Sequence, residues 1–154
     1  MGTESQKAEK KLFCFVVSPI GDRESEERNR ADGILDEIIR PALELQYRVE
    51  RADHDKTPGI VTEIIIGKLI DADLVVADLT GHNPNVFYEL AIRHATGMPV
   101  VQIIENGNKL PFDIQAINTV FFTPTLKGRS RAISDLQAAV RAVEDTPEVG
   151  NPVK

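Results

Sequence analysis

The sequence predicts an α/β protein in which one parallel sheet is covered by helices on both faces. Three observations lead to this fold class. Short apolar runs rich in β-branched and aromatic residues recur along the chain. Each run is followed by a segment whose apolar residues have helical spacing, or by a turn that leads into one, and strands and helices alternate five times. The length of 154 residues is the usual size of one domain.

The first half of the chain supplies two strands and two helices. Residues 12–18 form a buried strand, and residues 26–45 follow as a helix with apolar residues three and four apart. Pro41 lies inside that pattern and is expected to end or kink the helix, because proline lacks a backbone N–H. Residues 47–51 are predicted as the second strand and residues 60–70 as the second helix.

The second half supplies three strands and two helices. The third strand, residues 74–78, has the continuous apolar pattern of a strand covered on both faces. A helix over 86–96, a strand over 99–104, a strand over 118–122 and a helix over 129–143 complete the pattern. Because crossovers between parallel strands are right-handed, few arrangements remain. We predict a single-domain, flavodoxin-like three-layer sandwich with strand order 2-1-3-4-5.

The domain is predicted to span residues 12–144. Polar segments flank it at both ends, and residues 1–11 and 145–154 are expected to be a flexible leader and a flexible tail. The leader lacks the apolar region of a signal peptide. A hydrophobic content of 42% is sufficient for one core.

Charge, hydropathy and cysteine content exclude several classes of protein. A net charge of -6 argues against nucleic-acid binding, which needs clustered Lys and Arg. No apolar run approaches the roughly 20 residues that cross a bilayer. Cys14 is the only cysteine, so an internal disulfide cannot form, and its apolar neighbours predict burial in the first strand. This usage fits a reducing compartment, and we predict a cytoplasmic protein.

The predicted fold also predicts where a site would lie. In open α/β sheets, ligands bind beyond the carboxyl ends of the strands where the strand order reverses, here after the first and third strands. Polar residues follow both strands. The candidate substrate-binding residues are Ser18, Gly21, Asp22, Gly81, His82, Asn83 and Asn85.

Glu89 is the main candidate for chemistry. Asn83 followed by Pro84 has the pattern of an N-cap and a first helical residue, with Asn85 as the rival cap. Glu89 then lies one to two turns into the helix. A carboxylate there can stabilise or capture an oxocarbenium-like sugar carbon. In the alternative interpretation Glu89 only interacts favourably with the helix dipole, or pairs with Arg93 four residues later.

Asp78 is the second candidate. It ends the third strand and can accept hydrogen bonds in pairs, as ribose hydroxyls require. The alternative is that it caps the loop that follows. No pair of histidines has metal-ligand spacing, so neither a metal nor a cofactor is expected.

One long segment resembles a known group of proteins. The segments ADLTGHNPNVFYELAIRHATGMPV, FVVSPIGDRESEERNRADGILDEIIRPALE and PFDI resemble the nucleoside 2-deoxyribosyltransferase-like group and bacterial TIR-like domains, over roughly residues 13–122. The resemblance implies that Glu89 is the glutamate that acts at the sugar carbon and that Asp78 matches an acidic position near the sugar. The sequence departs from the transferases at residues 83–86, where Asn-Pro-Asn-Val replaces their usual Asp-x-Gly-Thr.

The function that follows is cleavage of an N-glycosidic bond in a nucleotide or nucleoside, with NAD among the candidate substrates. The different alternative is a non-catalytic TIR-like module that binds a nucleotide or assembles with further copies. We also expect a homo-oligomer, and in some enzymes related to this group a neighbouring chain completes the site; the sequence leaves open whether that applies here. Neither nucleic acid nor membrane is an expected partner.

Overall fold

The computed structural model describes residues 10–21, 24–52, 62–111 and 118–145. It confirms the predicted fold class, because all strand pairs are parallel and the order is β2-β1-β3-β4-β5. The strands are β1 Leu12–Val17, β2 Tyr47–Arg51, β3 Leu74–Asp78, β4 Val100–Glu105 and β5 Thr119–Phe122. The helices are α1 Glu26–Ile34, α2 Arg40–Leu43, α3 Glu63–Asp71, α4 Pro84–Thr96 and α5 Leu126–Asp145.

Each face of the sheet buries a separate apolar layer. The first layer joins alternate residues of the strands, such as Val16 and Val76, to α1, α2 and α5. The second joins the intervening residues, such as Val17 and Ala77, to α3 and α4. All five residues of β3 are buried, as its continuous apolar pattern predicts. Because of these two layers, α1, α2 and α5 approach the strand ends from one face of the sheet, and α3 and α4 approach them from the other.

The helix after β1 does not end at Pro41. Between α1 and α2 the chain forms a π-helical segment, Leu35–Ile39, in which the Arg40 N–H donates to the Leu35 carbonyl oxygen. A proline ring clashes with the carbonyl four residues earlier, here that of Glu37, and a wider turn relieves this clash. The helical path therefore continues through Pro41 to Leu43.

Two other helices are longer than their sequence patterns predict. The helix α4 begins at Pro84 rather than residue 86, because Asn83 is its N-cap and proline is favoured at the first helical position. The helix α5 begins three residues before its predicted start and ends at Asp145. The predicted leader and tail lie almost wholly outside the described residues. None of the described helices is both long and apolar enough to cross a membrane.

Candidate functional site

The carboxyl ends of β1, β3 and β4 lie side by side. Val17 pairs with Ala77, and Asp78 pairs with Ile103, so Ser18, Asp78 and Glu105 leave the sheet at neighbouring positions. This is the edge at which the fold places ligands. Two of the three groups there are carboxylates, which repel each other unless a cation lies between them.

Arg30 of α1 supplies that cation. Its Nη1 donates to Asp78 Oδ2 at 2.9 Å, and its Nε donates to Glu105 Oε1 at 3.0 Å. The Asp78 side chain is fully buried, whereas those of Arg30 and Glu105 are each 26% exposed. Burial alone lowers the pKa of Arg30, but the charges and hydrogen bonds of the two carboxylates outweigh it and raise the pKa above its usual value. Arg30 is therefore a permanent cation in this network.

Sequence reasoning missed Arg30. Its helical position gave no local signal, because its partners lie 48 and 75 residues away in the chain. The available signal was indirect: two carboxylates that end adjacent strands in the predicted order need a cation, and the helix after β1 is the nearest source of one. The predicted topology would have restricted the search to a few basic residues.

Asp78 forms the loop contact that was the alternative interpretation of this residue. Its Oδ1 accepts a hydrogen bond from the Thr80 N–H at 3.0 Å, while Oδ2 is held by Arg30. Asp78 also follows Leu74 and Val76 on one side of the strand, the side covered by α1 and α5. Each carboxylate oxygen keeps further acceptor capacity, but the side chain is fully buried, so a sugar hydroxyl reaches it only after the site opens.

The loop after β3, residues 79–83, is hydrogen-bonded to the end of β4 and to the loop that follows β4. Thr80 Oγ1 accepts from the Glu105 N–H at 2.9 Å, and the Gly81 N–H donates to Asn108 Oδ1 at 3.2 Å. The His82 ring donates to the Lys109 carbonyl oxygen at 2.6 Å. Gly81 and His82 both have positive φ angles, 78° and 54°, which make the tight 3-10 turn that brings these groups together. His82 thus has a structural role in this loop.

Asn83 is the N-cap of α4. Its Oδ1 accepts from the N–H groups of Asn85 and Val86 at 2.9 and 3.4 Å. The N–H of Phe87 donates to the Asn83 carbonyl oxygen, and Pro84 has no N–H to offer. The first amides of this helix are therefore already bonded within the chain, which removes them as ready donors to a phosphate group.

The loop after β1 contains three of the predicted binding residues. The Ser18 hydroxyl oxygen is buried and has no hydrogen-bond partner among the described residues. Gly21 is exposed and has a φ of 69°, and a β-carbon there would lie 2.8 Å from Glu27 Oε2. Both facts explain why glycine occupies this turn without reference to a ligand. Asp22 lies outside the described residues.

Glu89 lies on the buried face of α4, opposite in the sandwich from the layer that contacts Asp78. It is 1% exposed. Arg93, one turn later, does not hold it at the outer helix surface. The Arg93 guanidinium instead donates to the carbonyl oxygens of Leu69 at 2.9 Å and Pro99 at 2.9 Å, near the amino edge of the sheet. Burial lowers the pKa of Arg93 to about 10.

The predicted residues are distributed over both faces of the sheet. Ser18 follows β1, Asp78 at the end of the central strand β3 lies with Arg30 on the side of α1 and α5, and Glu89 comes from α4 on the other side. His82, Asn83 and Gly81 serve mainly to hold the intervening loop. Within the described residues, no group of three or more His, Cys, Asp and Glu side chains is placed to hold a metal ion.

Comparison with known proteins supports the fold. No protein-family model and no curated protein sequence matches this chain. Among solved structures, the Clostridium botulinum CMP N-glycosidase BcmB is similar, with a TM-score of 0.56 and 14% sequence identity over 82% of this chain and 98% of that chain. The structure of RosB with bound 8-demethyl-8-formylriboflavin-5'-phosphate has a TM-score of 0.50 and 9% identity over 88% of this chain and 81% of that chain. At these identities the likeness concerns the fold, and it does not single out the deoxyribosyltransferase or TIR-like groups.

Proposed function

We propose that this protein cleaves the N-glycosidic bond of a nucleotide or nucleoside, with Glu89 acting at the sugar carbon. The observation that carries the proposal is the burial of the Glu89 carboxylate in α4, a helix that starts at the ligand-binding edge of the sheet. Glutamate is almost never fully buried unless it is paired, so its burial marks a polar site inside the domain. The CMP N-glycosidase with a similar fold over nearly its whole length makes this bond the natural candidate.

The chemistry follows from where charge develops. As the base leaves, positive charge builds on the sugar carbon, and a carboxylate beside it lowers the energy of that transition state. The low dielectric of a buried site makes this interaction stronger than it would be in water. In the alternative form of this chemistry, Glu89 attacks the sugar carbon as the base departs, and water then hydrolyses the glycosyl-enzyme ester.

Other residues have positioning roles in this proposal. The Ser18 hydroxyl, which has no partner among the residues described, donates to an oxygen of the substrate's phosphate or sugar. Asp78 is held by Arg30 and Thr80, and its remaining acceptor sites bond a ribose hydroxyl once the site opens to admit substrate. Asn85, whose side chain is half-buried beside the helix start, orients the same sugar. NAD and nucleoside monophosphates are the first substrates to test.

The test is release of free base, followed by chromatography, from CMP, other nucleoside monophosphates, nucleosides and NAD. Glu89→Gln keeps the shape and removes the charge, so base release should fall roughly a hundredfold or more. The matched control is Glu63→Gln, which changes an exposed helix-start glutamate of α3 and should leave the rate unchanged. Asp78→Asn should weaken substrate binding and keep residual turnover.

A second candidate is a non-catalytic, nucleotide-binding or self-assembling module. The observation that favours it is the internal use of Asn83, His82 and Asp78, which hold loops and helix ends as a scaffold would. Under this alternative the wild-type protein binds nucleotides without releasing base. Wild-type turnover that survives Glu89→Gln would contradict the proposed role of Glu89, and absence of turnover with saturable nucleotide binding would favour the module.

A further inference from the structure

A groove with an exposed leucine at its rim lies on the side of the domain that carries α1 and α5. The groove has a volume of about 430 Å³ and runs between α1 with its π-helical continuation and the start of α5. Ile34 and Ile38 line it and are buried, so they form its floor. Leu126 also lines it but is 90% exposed, so its side chain projects into solvent. We call this feature the α1–α5 groove.

Gly33 leaves a recess in the same groove. It lies inside α1, and a β-carbon built there would meet no atom within 4 Å. Glycine is less favourable than alanine in a helix interior, and neither close packing nor a positive φ angle requires it here. One surface of the domain therefore presents an apolar projection, Leu126, and an apolar recess, Gly33.

A projection and a recess on one surface are what a two-fold dimer requires. In such a dimer both copies use the same patch, so residue i of one copy contacts residue j of the other, and residue j contacts residue i. Leu126 of each copy can then fill the recess at Gly33 of the other copy. This contact removes from water a leucine side chain that packing within one chain leaves 90% exposed.

The charges around the groove are self-complementary as well. Glu37 on the α1 side is 57% exposed and pairs with Arg129 on the α5 side, which is 47% exposed. Lys127 and Arg131 add exposed positive charge to the start of α5, and Asp36 adds exposed negative charge beside Glu37. A second copy turned by 180° brings the basic start of α5 over the acidic π-helical segment, so opposite charges face each other at both ends. The cations that line the groove already have carboxylate partners, so a small anion gains little there, whereas a second copy exchanges these partners between the chains.

We infer that the α1–α5 groove is the interface of a homodimer with two-fold symmetry. Leu126 of each copy occupies the recess at Gly33 of the other copy, and Arg129 of each copy pairs with Glu37 of the other. A stable interface buries about 1,200–2,000 Å² in total. The helix α5 has 20 residues and is therefore about 30 Å long, which is sufficient to supply this area together with α1. The interface lies on the opposite face of the sheet from α4, so it is separate from Glu89.

The test is sedimentation equilibrium of the full-length protein at concentrations up to roughly 100 μM, where the wild type should form dimers. Leu126→Ser occurs twice in a dimer and removes both projections, so it should raise the dissociation constant about a hundredfold or more. Gly33→Leu fills both recesses with a good helix former and should raise it about tenfold or more. The matched control is Leu45→Ser, because Leu45 is also 90% exposed but lies in the turn before β2, outside the groove. This variant should dimerise like the wild type.

Charge reversal tests whether the ion pair forms between the copies. Glu37→Arg and Arg129→Glu each place like charges opposite one another in a homodimer, so each variant alone should dimerise about tenfold or more weakly. When the two variants are mixed, opposite charges meet only between the copies, because the like charges remain within each chain. The mixture should therefore form a heterodimer with an affinity near that of the wild type.

Far-UV circular dichroism establishes that each variant is folded. The inference is overturned if the wild type is monomeric over this range, or if Leu126→Ser or Gly33→Leu dimerises like the wild type. It is also overturned if Leu45→Ser weakens the dimer as much as Leu126→Ser does, or if the mixture of charge variants stays monomeric. None of these measurements depends on base release, so failure of the proposed enzyme activity and failure of this inference are distinguishable.

Discussion

The network of Arg30, Asp78 and Glu105 makes a quantitative prediction about stability. Removing one partner of a fully buried ion pair typically costs about 3–5 kcal/mol, whereas exposed pairs contribute about 0–1 kcal/mol. The Asp78 side chain is fully buried, but Arg30 is 26% exposed, which lets water reach part of the network. We therefore expect Arg30→Met to lower the free energy of unfolding by about 2 kcal/mol. Methionine preserves most of the aliphatic stem and removes only the guanidinium group.

The pairwise part of this energy is measured by a double-mutant cycle. Asp78→Asn retains the shape and the acceptor for the Thr80 N–H, and it leaves Arg30 its second partner, Glu105. Its cost should be smaller, about 1 kcal/mol. The double variant Arg30→Met with Asp78→Asn should be more stable than the sum of the single variants predicts, by about 1–2 kcal/mol. Urea unfolding followed by circular dichroism gives each of these free energies.

A matched control pair lies in α5. Arg131 and Asp135 are one turn apart at 3.8 Å, with side chains 87% and 48% exposed. The same substitutions in this pair, Arg131→Met and Asp135→Asn, should show a coupling of no more than about 0.5 kcal/mol. The reasoning fails if the coupling of Arg30 with Asp78 is no larger than that of the control pair. The slope of the unfolding free energy against urea concentration must be the same for all variants, because a changed slope would indicate a changed denatured state.

Three further predictions concern residues outside the proposed chemistry. Burial lowers the pKa of His94 below its usual 6.5, so the unfolded chain takes up a proton first as the pH falls. The contribution of His94 to the free energy of unfolding is therefore fully present above a pH of about 6.5 and declines below it, by at most about 1.36 kcal/mol per pH unit. His94→Gln should remove this contribution to the pH dependence, which urea unfolding at several pH values measures. Gly67→Ala, where a β-carbon meets nothing within 4 Å, should stabilise α3 by up to about 1 kcal/mol in thermal or urea unfolding. Gly128→Ala should destabilise by about 1–3 kcal/mol, because its β-carbon would lie 2.2 Å from the Thr123 carbonyl oxygen; equal effects of the two glycine substitutions would contradict this.

The sheet could be predicted from sequence because its signals are local and its assembly rules are few. The apolar run of residues 74–78 predicts a strand covered on both faces, and the structure buries all five residues. Right-handed crossovers then restrict the order of strands. Helix boundaries were less accurate, because α4 and α5 begin with residues that carry no apolar periodicity. Pro41 correctly indicated an irregularity in the helix, but the helix does not end there, because a π-helical segment accommodates the proline.

The candidate site was only partly predictable, for a physical reason. The capping of α4 by Asn83 followed from adjacent residues, and the structure confirms it. Contacts between distant segments left no local pattern. The hydrogen bond of His82 to the Lys109 carbonyl and the bridge made by Arg30 depend on how loops from different strands meet. Several of the polar residues that were predicted to bind a ligand therefore form hydrogen bonds within and between the loops.

Asp78 and Glu89 belong to opposite faces of the sheet, and their surroundings affect the part that each can take in the proposed reaction. Asp78 has a guanidinium group at 2.9 Å, which offsets much of its negative charge at any nearby sugar carbon. Its field therefore contributes little to stabilising an oxocarbenium-like state, and its value lies in hydrogen bonding. The Arg93 guanidinium, one turn after Glu89, donates to the backbone carbonyl oxygens of Leu69 and Pro99. In the proposed reaction, the ion pair with Arg30 therefore favours a positioning role for Asp78 and leaves the role at the sugar carbon to Glu89.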